Sequence, residues 1–576
     1  MRMTNKIMRN NSAYNINQNK ILQDKLTNQM TTQSKIVRPS DDPVVAIRAL
    51  RLRSNVTTVT QYNDRNAADA DQWLALTADA MDTVDQVLTD LYRQATTSAD
   101  KYETSDDLRI LMSQMKQLTA EFYSCANVDY AGRYIFSGYR TDLPVTFTEE
   151  DMKAMQEHPV SYNIDETFGF QDISRISYTG YDTVKDIDIA TFPTPPAGID
   201  DENSYQQTVQ NTTMYRFRIS YNNLDSLGTE TTDANGNTVS AGRTLTFTMP
   251  DGTKVTAQAQ TDANGVVQKD ADGNPIVDVT AVDAAGNPVV PAPQVMEFAD
   301  QEEAYKAIAN GTCTGIAYIP TSGEMVFSKD YYDQNFNEAI FNKSTTGFQV
   351  NYDKSTWKNG DINPVHYFKC IETKNMAAPG DTPELRKTAY NTQREEGRNQ
   401  DIYYDVGYNQ QIQVNTRADE IFTHDVQRDM DDFEHYLKQL EDIETLEADL
   451  TAKRKDYAED SDEYKDLTLR LEGVEKAKTY IRENVHTKFE NQITKYQQYM
   501  DDSRVAMTDS ATRRSRLELI STRLTNQKTT FKELQQDNEG IDITEVAVEL
   551  TASELTYNAA LMATGKIMQT NLMNFI

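Results

Sequence analysis

The residues that could do chemistry are few in this chain and lie far apart in sequence. Catalysis or metal binding needs acids, bases, nucleophiles or ligands at spacings that let them converge on one atom. No Gly-rich phosphate loop and no HExxH, CxxC or GxSxG motif is present. The cysteines and histidines are scattered singly, at Cys125, Cys313, Cys370, His158, His366, His424, His435 and His486. The sequence therefore predicts no enzyme activity, no cofactor and no metal site.

A pair of adjacent carboxylates lies in the stretch RPSDDP, between two segments with helical patterns. Neighbouring residues on a helix do not face each other, so this pair cannot converge on one reacting atom. The stretch instead has the features of a helix start, because Ser or Asp caps free N–H groups and proline suits the first helical position. We interpret it as an elbow of the chain formed by Pro39, Ser40, Asp41, Asp42 and Pro43.

Two other groups of polar residues could suggest metal binding. His424 follows Glu420 by one helical turn, and we expect this to be a solvated pair on a charged helix. Asp270 and Asp272 could suggest calcium, but Gly273 falls at position four, whereas an EF-type loop needs glycine at position six. Similar turn-like units begin at Asp233, Asp262, Asp270 and Asp283. We therefore predict repeated hairpin turns here.

Length and charge narrow the function further. The chain has 576 residues, which predicts three or four domains, and a net charge of −32, which argues against general nucleic-acid binding. Residues 1–60 differ, since they contain ten Lys/Arg and three Asp/Glu, a net charge of +7. No apolar run is long enough to span a membrane, and the N-terminus has no apolar signal-peptide core. We expect this basic N-terminal segment to be retained as a solvated arm.

Glycine and proline divide the chain into helical ends and a β-rich middle. Of 23 glycines, 19 lie between positions 132 and 400, and 14 of 16 prolines lie between 144 and 383. Both residues interrupt regular structure. The flanking segments carry apolar residues at helical spacing. These stripes comprise Ala70, Trp73, Leu74, Thr77, Ala80, Met81, Val84, Val87, Leu88, Leu91 and Ala95, then Leu108, Leu111, Met115, Leu118, Phe122 and Cys125 after a predicted Ser105 cap, and later Leu517, Ile520, Leu524, Phe531 and Leu534.

The outermost segments carry only thin apolar stripes among polar residues. An isolated helix gains little from propensity alone. We therefore predict that both ends stay mobile in the free subunit and order only against partners. The expected interface positions are Ile7, Tyr14, Ile21, Leu22, Leu26, Val546, Leu550, Tyr557, Leu561, Ile567, Met568, Leu572 and Phe575. Asp542 and Glu545 form a predicted capping pair at the start of the last helix.

Two kinds of hairpin are predicted in the remainder. Alternating residues around Asp251-Gly252 and around Ser322-Gly323 predict β-hairpins. A charged stretch, residues 433–500, has apolar residues at near-heptad spacing, and a turn near residues 459–462 would fold it into a helical hairpin or short coiled coil.

Four stretches together resemble the flagellin-type axial proteins of bacterial flagella, and specifically their hook–filament junction members. They are VRPSDDPVVAIRALRLRS (37–54), VDYAGRYIFSGYRTDLPVTF (128–147), YYDVGYNQQIQVNTRADEIF (403–422) and the ending LMNFI. The most specific motif is the turn GRYIFSG, with signature residues Gly132, Arg133, Tyr134, Phe136, Ser137 and Gly138. The resemblance covers residues 1–145 and 400–576, but not the β-rich middle or the charged hairpin at about 440–490.

The resemblance implies an α+β multidomain fold in which both chain ends form a long helical coiled coil or bundle around a β-rich central insertion. The implied domains are an N-terminal core helix (1–42), the N-terminal half of a helical bundle (43–140), outer β-rich domains (141–416), the C-terminal half of the bundle with its charged hairpin (417–541), and a C-terminal core helix (542–576). The elbow then joins the inner helix to the bundle.

The resemblance also implies a structural subunit at the hook–filament junction that templates flagellin polymerisation. The implied partners are other copies of the chain, the hook-side junction protein (hook-associated protein 1), flagellin, an export chaperone at the C-terminal helix, and the flagellar type III export apparatus. No nucleic acid and no membrane insertion are expected. Three alternatives stay open: filament flagellin itself, an adhesin or enzyme displayed in the middle domain, and a generic coiled-coil scaffold.

Overall fold

The computed structural model describes residues 5–99, 104–157, 159–185, 205–232, 238–344, 346–372 and 400–569. Its helices are α1 (Asn5–Thr32), α2 (Pro43–Thr60), α3 (Ala68–Ser98), α4 (Ser105–Ser124), α5 (Glu149–Glu157), α6 (Asp182–Lys185), α7 (Tyr205–Thr208), α8 (Gln301–Ala309), α9 (Lys329–Asn335), α10 (Glu338–Phe341), α11 (Asp425–Arg454), α12 (Asp462–Glu539) and α13 (Ile543–Gln569). A π-helical stretch, Gln61–Ala67, joins α2 to α3.

The strands are concentrated between α4 and α11. They are β1 (Asp129–Tyr130), β2 (Arg133–Tyr134), β3 (Tyr162–Phe168), β4 (Ile173–Gly180), β5 (Gln210–Arg218), β6 (Glu230–Thr232), β7 (Thr238–Ser240), β8 (Thr244–Thr248), β9 (Lys254–Ala259), β10 (Val277–Val282), β11 (Val295–Glu297), β12 (Ile316–Ile319), β13 (Glu324–Ser328), β14 (Phe348–Lys354), β15 (Lys369–Glu372), β16 (Tyr403–Gly407) and β17 (Gln410–Gln413). This distribution confirms the predicted fold class, helical ends around a β-rich middle.

The described chain divides into two compact units. The first unit comprises Met1–Leu74, Tyr403–Val414 and Thr512–Ile576, and the second comprises Ala75–Ile402 and Asn415–Ala511.

In the first unit, the two terminal helices α1 and α13 pack along each other. Ser34 and Gly540 form a β-bridge beside the end of α1 and the start of α13, so the two helices run antiparallel. The Lys35 amide donates to the Glu539 carbonyl over 2.7 Å. The Glu539 carboxylate also forms an ion pair with Arg53 of α2. Glu539, just before α13, therefore contacts the chain on both sides of the elbow.

In the second unit, two sheets pack face to face. The six-stranded sheet is antiparallel, in the order β10-β9-β8-β14-β3-β15. The five-stranded sheet has the order β11-β12-β13-β5-β4, and only its β11–β12 pair is parallel. The rings of Phe217 on β5 and Phe348 on β14 stack with centroids 4.4 Å apart, so they join the two sheets through the apolar core. The other face of the five-stranded sheet is covered by Tyr305 and Ile308 of α8. Both predicted hairpins are present, as β8–β9 and β12–β13.

The charged stretch folds as the predicted helical hairpin. Helix α11 ends at Arg454 and α12 begins at Asp462, which places the turn between them. Phe433 and Phe489 stack with ring centroids 4.3 Å apart, and Lys478 donates to Glu447 over 2.6 Å across the pair.

Most of the predicted apolar stripes are buried, but two details of the prediction were wrong. Trp73, Leu91 and Phe122 are completely inaccessible to solvent. Helix α4 is capped by Thr104, not by Ser105, because Asp107 reciprocates from the third helical position and completes a capping box with Thr104. Leu534 is exposed rather than buried.

Candidate functional site

The two carboxylates of the elbow accept hydrogen bonds from backbone amides on opposite sides of the bend. Asp42 caps α2 by accepting hydrogen bonds from the Val44 and Val45 amides at 3.0 and 3.1 Å. Asp41 accepts from the Val37 and Arg38 amides at 3.0 and 2.8 Å, and these donors lower the pKa of its carboxyl. Asp41 thus holds the chain before the bend and Asp42 the helix after it.

Pro39, Ser40 and Pro43 complete the elbow. Pro43 is the first residue of α2, where its missing N–H is not needed. Pro39 and Ser40 are exposed in the turn that precedes it. Asp41 and Asp42 are therefore occupied in shaping the backbone rather than in binding or acid–base chemistry.

The expected interface residues of the terminal helices are unevenly buried in the free subunit. Leu26 and Val546 are buried between the helices. Leu550 and Tyr557 are half-buried. The remaining described positions are exposed: Ile7, Tyr14, Ile21, Leu22 and Leu561. The side chains of Ile567 and Met568 and the residues Leu572 and Phe575 lie outside the described part of the chain.

Helix α13 exposes a second apolar stripe that sequence reasoning missed. Its residues, Val548, Leu555 and Met562, are seven positions apart and are 65, 72 and 72 % exposed. That seven-residue spacing was the pattern that could have identified them. Sustained exposure of large apolar side chains marks an interaction surface rather than a solvated one. The pair α1–α13 therefore has more apolar surface than its two helices can bury.

The signature turn GRYIFSG lies in the second unit, and its residues contact other parts of the same chain. It begins with the tight hairpin β1–β2, whose two linking residues, Ala131 and Gly132, have φ values of 52° and 77°. The Gly132 amide donates to the Asp129 carboxylate over 3.0 Å. Arg133 lies over the Tyr130 ring, 5.5 Å from its centroid, and Tyr134 pairs with Asp129 across the hairpin.

The rest of the signature turn is buried against the returning chain. The Phe136 carbonyl accepts a hydrogen bond from the Ala418 amide over 2.8 Å, and its ring packs edge-on against Phe422. Ser137 is buried and donates to the Tyr134 carbonyl. Gly138 has φ +64°, and a Cβ there would lie 2.3 Å from the Gln400 side-chain oxygen. The motif thus holds together two segments of the same chain that are far apart in sequence.

The expectation of a solvated Glu420–His424 pair was wrong. Glu420 pairs instead with Arg417 over 2.9 Å. The His424 ring packs against the rings of Tyr221, Tyr367 and Phe368. Burial lowers the pKa of His424 to about 3, so the ring is neutral at physiological pH. The aromatic neighbours come from distant positions, and the one-turn spacing gave no sign of them.

The described part of the chain offers no arrangement for metal or redox chemistry. No group of three or more His, Cys, Asp or Glu residues in it is placed to hold a metal ion. Asp262, Asp270 and Asp283 each accept backbone N–H groups of their own turns, as expected of hairpin turns. The unit beginning at Asp233 lies outside the described residues. Cys125, Cys313 and Cys370 are buried free thiols.

A cavity of about 450 Å³ lies in the second unit, and some of its polar groups are paired. Among its lining residues, Arg428 pairs with Asp431 over 2.9 Å, and the Tyr123 hydroxyl donates to the Thr423 carbonyl over 2.7 Å. As for membranes, no helix in the described ranges is both long and apolar enough to cross a bilayer.

Comparison with known proteins points to the flagellum. Residues 3–141 match the family described as the bacterial flagellin N-terminal helical region. The chain is 29 % identical over 126 residues to flagellar hook-associated protein 3 of Escherichia coli, and 26 % identical over 143 residues to the Salmonella typhimurium protein of the same name. These matches cover 22 and 25 % of this chain, and 39 and 45 % of the two relatives, so the chain matches less than half the length of either.

Two solved structures of flagellar proteins show detectable similarity to the chain. Xanthomonas campestris FlgL is 9 % identical, with 84 % of this chain and 98 % of that one covered, at a TM-score of 0.27. The flagellar junction protein FlgL of Legionella pneumophila is 9 % identical, with 79 and 99 % covered, at a TM-score of 0.20. About a quarter of the chain thus matches a flagellin-type helical region, and two curated relatives are hook-associated proteins, which confirms the resemblance that the elbow and the signature turn indicate.

Proposed function

We propose that this chain is a structural subunit of the bacterial flagellum that joins the hook to the filament and offers the first surface on which flagellin polymerises. The observation that carries the proposal is that the flagellin-type region, residues 3–141, contains a terminal helix that pairs with the other end of the chain yet leaves much apolar surface exposed. A subunit built in this way is completed by its neighbours.

The exposed residues of α1 and α13 supply the assembly energy. Burying one large apolar side chain contributes about 1.5–3 kcal/mol, so several such residues per subunit offset part of the entropy cost of ordering the helices. In this proposal residues 1–42 and 542–576 form the inner shell of a tube. Residues 43–140 and 417–541 form the next shell, and residues 141–416 form the outer domains. Head-to-tail contacts between identical subunits generate such helical assemblies.

The proposed partners follow from this position in the flagellum. Copies of the chain contact each other laterally, hook-associated protein 1 contacts them on the hook side, and flagellin adds on the other side. Before assembly, an export chaperone covers the C-terminal apolar positions Leu561, Met568, Leu572 and Phe575 while the subunit passes to the flagellar type III apparatus. The role is structural, and it requires binding without turnover.

Deletion of the gene, followed by electron microscopy, tests the proposal. We expect hooks without filaments and flagellin monomers in the culture medium, because flagellin is made and exported but finds no surface to polymerise on. Normal filaments on the deletion strain would overturn the proposal. Loss of the filament together with an absence of flagellin from the medium would indicate instead that the chain is the filament subunit.

A complementation series sharpens the result. The full chain should restore filaments, whereas a chain ending before residue 542 should be unable to do so, because it lacks α13. A chain carrying Gln114→Ala, an exposed position on α4, serves as the matched control and should restore filaments fully.

A further inference from the structure

Helix α2 exposes a short apolar face that is flanked by positive charge. Val44, Ile47 and Leu50 are 61, 55 and 61 % exposed, although Ala46 and Ala49 on the opposite side are buried. Positions 44, 47, 48 and 51 share one side of a helix. Arg48 and Arg51 therefore border the apolar residues, and within the described part of the chain neither guanidinium has an ion-pair partner.

Helix α12 exposes an apolar residue surrounded by negative charge. Val505 is 70 % exposed, and three aspartates lie three or four positions from it on the same side of the helix: Asp501, Asp502 and Asp509. Among the described residues, Asp501 and Asp502 have no ion-pair partner. Arg504, the residue before Val505, pairs with Asp85 over 2.7 Å.

We propose that the α2 face of one copy docks on the Val505 face of a second copy, head to tail. Here the α2 face means Val44, Ile47, Arg48, Leu50 and Arg51, and the Val505 face means Val505, Asp501, Asp502 and Asp509. The inference rests on the proposed function, and it names a contact by which one copy recognises the next.

Charge complementarity selects a second copy as the occupant. Two chains of net charge −32 repel each other over most of their surfaces. Residues 1–60 are the exception, with a net charge of +7, and α2 lies within them. The α2 face therefore attracts an acidic surface. The Val505 face is acidic, and its central Val505 can pack against the apolar residues of the α2 face. Complementary patches of this sort fix orientation and register more than they add affinity.

The two faces differ from each other, so the contact is heterologous rather than two-fold symmetric. A heterologous contact leaves one free face of each kind on every dimer, and the next copy adds there. This distinguishes the proposal from dimer formation through one self-complementary patch.

Disulfide trapping in isolated flagella tests the geometry. The native cysteines are buried, so introduced surface cysteines react selectively. In cells that produce Ile47→Cys and Val505→Cys as separate chains, we expect dimers and no larger species. A single chain carrying both substitutions should give a ladder of multimers, whereas a chain carrying Ile47→Cys and Gln114→Cys should not.

Charge reversal provides the second measurement. In the doubly substituted cysteine background, Arg48→Glu with Arg51→Glu should lower the ladder yield on the order of tenfold, and so should Asp501→Lys with Asp502→Lys. Combining all four reversals should restore the yield, because the charges are again complementary. All four positions are exposed, so the subunit fold is preserved.

The outcomes separate the inference from the proposed function. If the wild-type chain is present in flagella but the double-cysteine chain gives no ladder, or if the four combined reversals remain defective, the docking inference is overturned and the proposed function stands. If the wild-type chain is absent from isolated flagella by immunoblot, the proposed function fails and the inference falls with it.

Discussion

The terminal helices of the first unit and the helix–sheet contact of the second unit differ in which side chains they bury. The terminal pair exposes large apolar side chains such as Ile21, Val548 and Leu555. In the second unit, by contrast, Arg216 and Asp432 are almost completely buried. The terminal pair leaves apolar side chains exposed, although burying them would be favourable. The second unit buries charged side chains, although removing them from water is costly.

A network of charged residues, most of them buried, lies between strands β5 and β13 and the helical hairpin. Arg216 pairs with Glu324 and Asp432. Arg218 pairs with Asp429 over 2.6 Å and with Asp425 over 2.7 Å. Further contacts come from α12, where Lys488 pairs with Asp432, Lys495 pairs with Asp429 and Gln492 donates to Asp429.

The network is balanced, with four cations and four carboxylates. Burial by itself would raise the pKa of the Asp429 carboxyl, but Arg218, Lys495 and Lys488 outweigh it and hold the pKa well below its usual range. A buried ion pair costs desolvation of both groups, so it adds little net stability over a well-packed apolar contact. What it does provide is specificity, because any shifted packing of the hairpin on the sheet leaves a charge unpaired.

The difference teaches how the two regions acquire a unique structure. The helix–sheet contact is specified inside one chain, by charges that accept a single arrangement. The terminal pair leaves large apolar side chains exposed inside one chain, and in the proposed assembly neighbouring subunits cover them.

The largest effect is expected from breaking the buried network. Asp432→Asn should lower the free energy of unfolding of the second unit by about 3–5 kcal/mol, because the charges of Arg216 and Lys488 lose a buried partner. Urea unfolding followed through Trp357 fluorescence, in a Trp73→Phe background, measures this unit alone. The exposed Asp449→Asn on the same helix is the matched control, with a change within about 0.5 kcal/mol. Equal effects of the two variants would contradict the contrast.

A change of pH should have a smaller effect on the stability of the second unit. Burial raises the pKa of Glu166 to about 7 and that of Glu297 to about 7, despite hydrogen bonds from Ser220 and Ser226 that favour the charged forms. Because these folded-state pKa values lie above the unfolded value of about 4.5, the folded state holds more protons, and stability should fall as pH rises from about 4.5 to 7. Glu166→Gln should remove about half of this fall in urea melts at stepped pH. The exposed Glu303→Gln should leave it intact, and an unchanged profile in Glu166→Gln would refute the assignment.

The elbow should show an effect of about 1 kcal/mol. Asp42→Ala removes the acceptor for the Val44 and Val45 amides, and loss of an N-cap typically costs about 0.5–2 kcal/mol. Amide hydrogen exchange at the first turn of α2 should accelerate accordingly. Ser40→Ala, at an exposed neighbouring position, is the control, and Asp42→Asn should retain most of the protection. Slow exchange in Asp42→Ala would mean that packing, not the cap, starts α2.

The smallest change in subunit stability is expected from the terminal helices. Ile21→Asp should alter the unfolding free energy of the monomer by less than about 0.5 kcal/mol, since the side chain is already in water. The same variant should be absent from isolated flagella, because assembly would bury the new charge. Gln18→Asp, exposed and polar in the wild type, should assemble normally. Incorporation of Ile21→Asp would show that this face is not an assembly surface.

Hydrogen exchange of the dilute monomer extends the same contrast. Amides of α1 and α13 should exchange rapidly, as the sequence predicts for ends that order on assembly, whereas those of β5, β13 and the α11–α12 hairpin should be protected. Strong protection of the terminal pair in the monomer would remove the distinction between the two regions.

Local sequence patterns predicted the elements well where one segment carries the whole pattern. The stripe from Ala70 to Ala95 specified its own buried face, because helical spacing alone places Trp73 and Leu91 on one side. Asp42 followed by Pro43 predicted the start of α2, since capping involves only neighbouring amides. The hairpin turns at Gly252 and Gly323 were equally local, and both residues adopt positive φ.

Other features could not be read from one segment. His424 lies among three aromatic rings contributed by distant positions, and the signature turn is buried because Ala418 and Phe422 return to it. The buried charge network was also missed, since Arg216 and Asp432 lie 216 positions apart and look like ordinary surface residues in sequence.

The sequence by itself determined where this protein is helical, where it is β-rich, where the chain bends, and at which positions its two ends carry apolar residues. Only the tertiary structure decided which charges are buried and paired and which apolar side chains remain in water. The physical reason is range: propensity, capping and periodicity act between neighbours a few residues apart, whereas burial and ion pairing depend on which distant segments share a surface.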